Sequence, residues 1–130
     1  MLTDSISDMI IRLKNAGMAK RPTASFPASN LKLAIAEKLK QVGYLKSVSK
    51  RGKKVQKTIE VELFYQNGKP KIEDVLRVSR PSQRLYHRAT QIRSVRQGHG
   101  VGIYSTPQGL LTDKEARMAK VGGELLFKIW

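Results

Sequence analysis

Apolar residues recur at two different periods along this chain, and the change from one to the other marks its elements. Ile6, Met9, Ile10 and Leu13 fall at i, i+3, i+4 and i+7, a single stripe on a helix. Asp4 or Ser5 can cap its start, and Asn15 to Gly17 supply a stop. The stretch RPTASFPAS carries Pro22 and Pro27 and suits a short piece at the edge of a sheet. A second helix is expected to open at Ser29 or Asn30 and to bury Leu31, Ile35, Leu39 and Val42. It places Lys32 and Lys40 on the opposite side and ends at Gly43. From Tyr44 the period is two. YLKSVS, a basic turn KRGKK and IEVELFY form a hairpin, with Ile59, Val61, Leu63 and Tyr65 on one face and Glu60 and Glu62 on the other. The turn Asn67 to Pro70 closes this α-β-α-β-β half.

Shorter elements follow. IEDVLRVS and RLYHR are strand candidates separated by the turn RPSQ, and ATQIRSVRQ allows at most two helical turns. VGIYST is another strand, ended by the Pro107-Gln108-Gly109 turn. Thr112 and Glu115 fit a capping box that opens the short helix DKEARMAK. GELLFKIW reads as a buried strand. The pattern predicts an α+β fold in two small subdomains. Residues 1–68 form the first, and residues 69–130 form a mostly β second with short helices.

Composition narrows the chemistry. Cysteine is absent, which excludes disulfides and Cys-ligated zinc, and the two histidines, His87 and His99, are too few and too separated for a metal site. The N-terminal MLTDSISDMIIRLK has acids where a signal peptide carries lysines, and no apolar run approaches the ~20 residues of a membrane span. A cytoplasmic protein with no membrane partner is the expectation. Charge changes the picture most: 25 Lys and Arg against 10 Asp and Glu give +15. Arg77, Arg80, Arg84, Arg88, Arg93 and Arg96 share a window, Val75 to Thr112, that holds no acid. Such a charge is relieved when a polyanion releases its counterions, and arginine favours phosphate forks and base stacking. A nucleic acid is the expected partner.

Ser105 and Thr106, adjacent hydroxyls before a turn, admit three roles: nucleophile, cap or ligand reader. A nucleophile needs a base and an orienting acid, and Gly102-Ile103-Tyr104-Ser105 is not a G-x-S-x-G elbow. GHGVG is not a dinucleotide fingerprint, since a strand and not a helix follows it. Glu73 and Asp74, neighbours in a strand pattern, point to opposite faces and make no acid/base pair. The binding role asks less. Short hydroxyls suit base edges, 2′-hydroxyls and phosphates, while Gly109 lets backbone amides approach. Glu124 can accept from base amino groups or orient a donor. Tyr86, between Arg84 and Arg88, suits stacking on an unpaired base or a place in the core. The alternatives to a reader of structured RNA are a basic nucleic-acid-binding protein of another kind, DNA-binding or architectural, and a small hydrolase acting through Ser105.

The segments PASNLKLAIAEKLKQVGY, RVSRPSQRLYHR, STPQG and GLLTDKEARMAKVGGE, in that order, resemble the bacterial small-subunit ribosomal protein eight family over essentially the whole chain. The resemblance implies two α+β subdomains in an α/β/β/α four-layer arrangement, no enzymatic activity and no cofactor or small-molecule substrate. It implies a structural component of the small ribosomal subunit that is monomeric when free. Primary binding would be to the central domain of small-subunit ribosomal RNA, at an irregular helix with unpaired bases. The protein would thereby help assemble the platform beside the fifth and twelfth small-subunit proteins. By the same resemblance, Ser105, Thr106, Gln108 and Gly109 would enter a minor groove with Glu124 beside them, near Tyr86, Arg84 and Arg88. Asn15, Ser29, Asn30 and Lys32 would touch backbone phosphates. The family usually writes Ser-Thr-Ser-Lys-Gly in the loop. Here Pro107 and Gln108 remove one hydroxyl and one charge, and Phe127 stands where a small residue or cysteine is usual.

Overall fold

The computed structural model describes residues 4–52 and 57–130. The chain divides into two compact units, Ile6–Glu73 and Asp74–Trp130, the latter with Asp4 and Ser5. Helices and antiparallel sheets give a mixed α+β class.

In the first unit, helix α1 (Ser5–Met18) buries Ile6, Met9, Ile10 and Leu13 as the stripe requires, and also Ala16 and Gly17. It runs past the expected stop because Gly17 packs instead of capping: a Cβ there would stand 3.2 Å from the Pro70 Cβ. Beyond its end the chain turns away at Lys20, in the left-handed region at φ 55, and the Arg21 amide donates back to the Ala16 carbonyl at 2.8 Å. Strand β1 (Thr23–Pro27) is an edge strand on β3 (Thr58–Leu63), whose other neighbour is β2 (Leu45–Arg51). Ile59, Val61 and Leu63 are buried. Tyr65 leaves their ladder and joins a small hairpin of β4 (Tyr65–Gln66) with β5 (Lys69–Pro70). Asn67 and Gly68, at φ 55 and 77, make that turn, the left-handed pair that matches strand twist. Part of the basic KRGKK turn lies outside the described residues.

Helix α2 (Asn30–Gln41) is capped by the Ser29 hydroxyl, which accepts from the Lys32 amide at 3.1 Å. It is left through Gly43 at φ 95. Its inner face differs from expectation. Lys32, Ile35, Ala36 and Leu39 are buried, Leu31 is 44% exposed, and Val42 is only half-buried. Lys32 therefore does not share an outer face with Lys40. The true stripe is again i, i+3, i+4, i+7, but it begins on a lysine, whose aliphatic stem packs like an apolar residue.

The second unit is built on β10 (Gly123–Ile129). Strand β8 (Val101–Thr106) lies on one side of it and forms a hairpin with β9 (Gly109–Thr112), a strand the pattern did not announce. On the other side two short strands share its length. These are β6 (Val75–Arg77) opposite Phe127 to Ile129 and β7 (Tyr86–His87) opposite Gly123 and Glu124. The predicted strands IEDVLRVS and RLYHR shrink to these pieces because both draw on one edge. Between them the Val78 and Ser79 amides reach the Leu126 and Leu125 carbonyls at 3.1 Å, and the Leu125 amide reaches the Leu85 carbonyl at 3.0 Å. Glu73 precedes β6 outside any strand, while Asp74 exchanges backbone bonds with Trp130.

Helix α3 (Asp113–Ala119) carries the expected capping box: Thr112 Oγ1 accepts from the Glu115 amide at 3.1 Å and Glu115 Oε1 from the Thr112 amide at 2.9 Å. Asp113, nearly buried, accepts from the Gly102 amide at 3.0 Å and from Arg117 at 3.1 Å. Ile92, Tyr104, Ala116 and Leu125 form a core cluster there. The segment ATQIRSVRQ yields single 3-10 turns at Ala89–Gln91 and Arg96–Gly98. The second is left-handed, with Arg96, Gln97 and Gly98 at φ 51, 55 and 90. Each non-glycine residue held so costs roughly 1–2 kcal/mol.

Tyr104 sets a pH dependence. Its hydroxyl lies 2.8 Å from His87 Nδ1, and burial, helped by the charge of Asp113, pushes its pKa from 10.0 up to about 12. The unfolded chain loses this proton first, so it binds fewer protons than the folded protein between those values. Folding stability should therefore fall as pH rises through that window, by up to about 1.4 kcal/mol per unit. Urea denaturation from neutral pH to about pH 11 should show a Tyr104→Phe variant with a shallower alkaline decline than the parent. Identical slopes would contradict this.

Candidate nucleic-acid interface

Strand pairing gathers residues that are distant in sequence. On β10, Glu124 stands opposite Tyr86 on one side and Ser105 on the other. Directly opposed residues of antiparallel strands put their side chains on the same face, with Cβ atoms roughly 5 Å apart. Tyr86, Glu124 and Ser105 thus form one row across β7, β10 and β8. Two glycines permit the close spacing beside it. A Cβ on Gly122 would lie 2.6 Å from the His87 carbonyl oxygen, and one on Gly123 would lie 2.4 Å from that of Ser105. Any side chain at either place would prise the strands apart.

The carboxylate at the centre of the row is engaged from within. Its side chain is only 12% exposed. One oxygen accepts from the Ser79 hydroxyl and, at 3.2 Å, from Arg84, and the other lies 3.4 Å from the same guanidinium nitrogen. Ser79 is fully buried, and its hydroxyl also accepts from the Leu85 amide at 3.0 Å. Sequence reasoning missed Ser79. The available signal was a hydroxyl at the end of the apolar run VLRVS, since a buried hydroxyl needs a partner.

Around this clasp the exposed groups are distinct in character. Tyr86 is 63% exposed, so it is not a core aromatic. The Ser105 side chain is exposed and has no hydrogen-bond partner among the described residues. Thr106 behaves differently: its hydroxyl donates to the Gly109 carbonyl at 2.7 Å and accepts from the Gln108 amide at 3.1 Å. With Gly109 at φ 102 it closes the turn that holds Pro107 and Gln108 outward. A cleft of about 510 Å³ joins these groups, lined by Tyr86, Arg88, Gln91, Ser105, Pro107 and Glu124 among others.

Asn15, Ser29, Asn30 and Lys32 belong to the other unit and take no part in this row. Asn15 and Asn30 are exposed, the Ser29 hydroxyl is spent on capping, and Lys32 is 6% exposed. Asn15 lines a separate cleft of about 650 Å³ with Arg12, Arg21 and Ser25. Among the described residues no group of three His, Asp or Glu side chains could hold a metal ion. His87 follows Tyr86 on β7 and so lies on the other face, where its Nδ1 meets the Tyr104 hydroxyl and not Ser105. No helix among them is long and apolar enough to cross a membrane.

An exposed aromatic, an open hydroxyl and arginines over a sheet, in a chain of +15, are the features of a basic α+β protein suited to nucleic acid. Residues 4–130 match the family Ribosomal protein S8, and the chain belongs to that family. It is 46% identical over 125 residues to the Small ribosomal subunit protein uS8 of Acinetobacter baylyi, covering 96% of this chain and 95% of that one. It is likewise 46% identical over 130 residues to the protein of the same name from Mycoplasmopsis synoviae, with 99% and 98% covered. The namesake from Dictyoglomus thermophilum is 44% identical over 129 residues, with the same coverage. The family is one of ribosomal proteins, and the chain is not an enzyme.

Removing the Ser79 hydroxyl leaves the Leu85 amide without its partner and Glu124 with Arg84 alone. Ser79→Ala should destabilise the protein by about 1–3 kcal/mol in urea titration and speed hydrogen exchange at Leu85. An unchanged midpoint would show that the clasp holds nothing together.

Proposed function

We propose that the protein is a structural component of the small ribosomal subunit and binds the central domain of its RNA, at an irregular helix with unpaired bases, helping to assemble the platform. The row Tyr86–Glu124–Ser105 carries this proposal, because it offers a stacking face and an open hydroxyl side by side. Family membership supports it, since the relatives are named as small-subunit proteins. Its setting would be the cytoplasm, on the ribosome, beside the fifth and twelfth small-subunit proteins, and the free protein would be a monomer.

The mechanism has two layers. Arg84 and Arg88, with the exposed Asn15 and Asn30 of the other unit, set the RNA backbone, and the excess of Lys and Arg draws it in, whereas Ser29, spent on its cap, and Lys32, buried, support the start of α2 instead. Tyr86 then stacks on an unpaired base, and Ser105 bonds to an exposed edge or a 2′-hydroxyl. Glu124 holds both in place and is near enough to accept from a base amino group. Thr106 and Gly109 shape the loop, and Gln108 presents an amide where the family usually has a lysine. An uninterrupted A-form duplex keeps its bases in a deep groove and offers this row little.

Ser105→Ala combined with Thr106→Ala should weaken binding of the irregular ribosomal helix by roughly 1–3 kcal/mol and leave plain duplex binding nearly unchanged. Filter binding of both RNAs checks this, and equal losses would mean that the loop does not select. Arg88→Ala should weaken binding of both RNAs and reduce the slope of log affinity against log salt by about one. An unchanged slope would remove Arg88 from the phosphate contacts.

A further inference from the structure

We propose that Arg96 and Trp130 form a second RNA site, a stacking platform for a single unpaired nucleotide, at the end of the sheet remote from Glu124. Ile129 is opposite Val101, whereas Glu124 is opposite Ser105, so the two places are about five residues, or roughly 16 Å, apart along β10. The site is additional to the one assigned to Ser105, and it rests on the proposal that this protein binds RNA.

The Arg96 guanidinium carbon stands 4.3 Å from the centre of the Trp130 ring. The backbone accepts strain to put it there, since Arg96 and Gln97 both have left-handed φ in a turn that glycine or asparagine would make more readily. The turn is also locked. The amides of Gly98 and Gly100 both donate to the Val95 carbonyl at 3.0 Å. A Cβ on Gly100 would lie 2.8 Å from the Ile129 carbonyl oxygen and from the Trp130 Cβ. Arg96 is therefore held over the indole by a closed loop, and Trp130, the residue after β10, is itself fixed by backbone bonds in both directions with Asp74.

Its partners set it apart from its neighbours. Arg77 is paired with Asp4, Arg84 with Glu124 and Arg117 with Asp113. Among the described residues the Arg96 side chain makes no ion pair or hydrogen bond; its guanidinium meets the indole, and the arginine is exposed. A guanidinium backed by a ring keeps its charge and presents a flat outer face with N–H donors at its rim. The ligand that uses both is an unpaired nucleotide, with its base on the face and its phosphate at the rim. An acidic peptide would use only the charge, and a continuous duplex would keep its bases from the platform.

Trp130 is the only tryptophan, so its fluorescence reports on this place. The full-length protein should be titrated with a short single-stranded oligoadenylate, a duplex RNA of equal length and an oligoglutamate. Oligoadenylate should change Trp130 emission saturably, and the other two should not. Arg96→Gly suits the left-handed backbone and should fold at least as well as the parent. Both it and Arg96→Lys should bind oligoadenylate roughly tenfold more weakly, while Ser105→Ala should bind it normally. Lysine binding as well as arginine, or oligoglutamate producing the same response, would overturn the platform and leave a mere cation. Silent Trp130 emission while the protein still selects the irregular ribosomal helix would defeat this inference alone. Failure to select that helix, with oligoadenylate still bound through Arg96, would defeat the proposed function and not the platform.

Discussion

A carboxylate almost out of water, in a protein with a large excess of positive charge, is the constraint on which the second unit depends. Burying an ion costs several kcal/mol unless its lone pairs are met. Glu124 meets that demand with Ser79, which sits where the chain leaves β6, and with Arg84, from the segment leading into β7. The acid belongs to the central strand, so the same bonds fasten the excursion from Arg80 to Arg84 onto the sheet. Tyr86 follows directly and Ser105 lies across the next ladder. The position of both exposed groups is thus set by a group that is itself mostly hidden.

The glycines before Glu124 serve the same end by a different cause. They let backbone approach backbone where a methyl group would collide, so β7 and β8 both close on β10. Charge and close packing therefore converge on one short segment, Gly122-Gly123-Glu124. On the far side of the sheet, Tyr104, Ile92 and Ala116 provide the apolar base beneath it. What the solvent sees is a polar row on a rigid support.

Much of this was legible because it depends on local chemistry. The α1 stripe, the alternation of Ile59, Val61 and Leu63, the Ser29 cap and the Thr112–Glu115 box are all decided within a few residues, and the structure has them. Nucleic acid was legible as the partner class from the net charge of +15 together with the arginine window. What escaped depends on tertiary partners. Lys32 reads as polar, but its stem packs. The lengths of β6 and β7 follow from sharing one edge of β10, which no pattern in either segment reveals. Thr106 was expected as a reader, yet its hydroxyl closes its own turn. Ser79 and the left-handed Arg96 are visible only once β10 is in place, because the groups they meet lie dozens of residues away.

If, as proposed, positive charge gathers RNA and the row of Tyr86, Glu124 and Ser105 discriminates among its shapes, the two should respond differently to salt. Counterion release weakens every RNA complex as salt rises, whereas stacking and a hydroxyl contact are nearly indifferent to it. The decisive measurement is the ratio of affinities for an irregular ribosomal helix and an uninterrupted duplex across a tenfold range of salt. The ratio should stay constant while both affinities fall together. If it collapses toward one at high salt, selection is electrostatic and the row of Tyr86, Glu124 and Ser105 does not perform it.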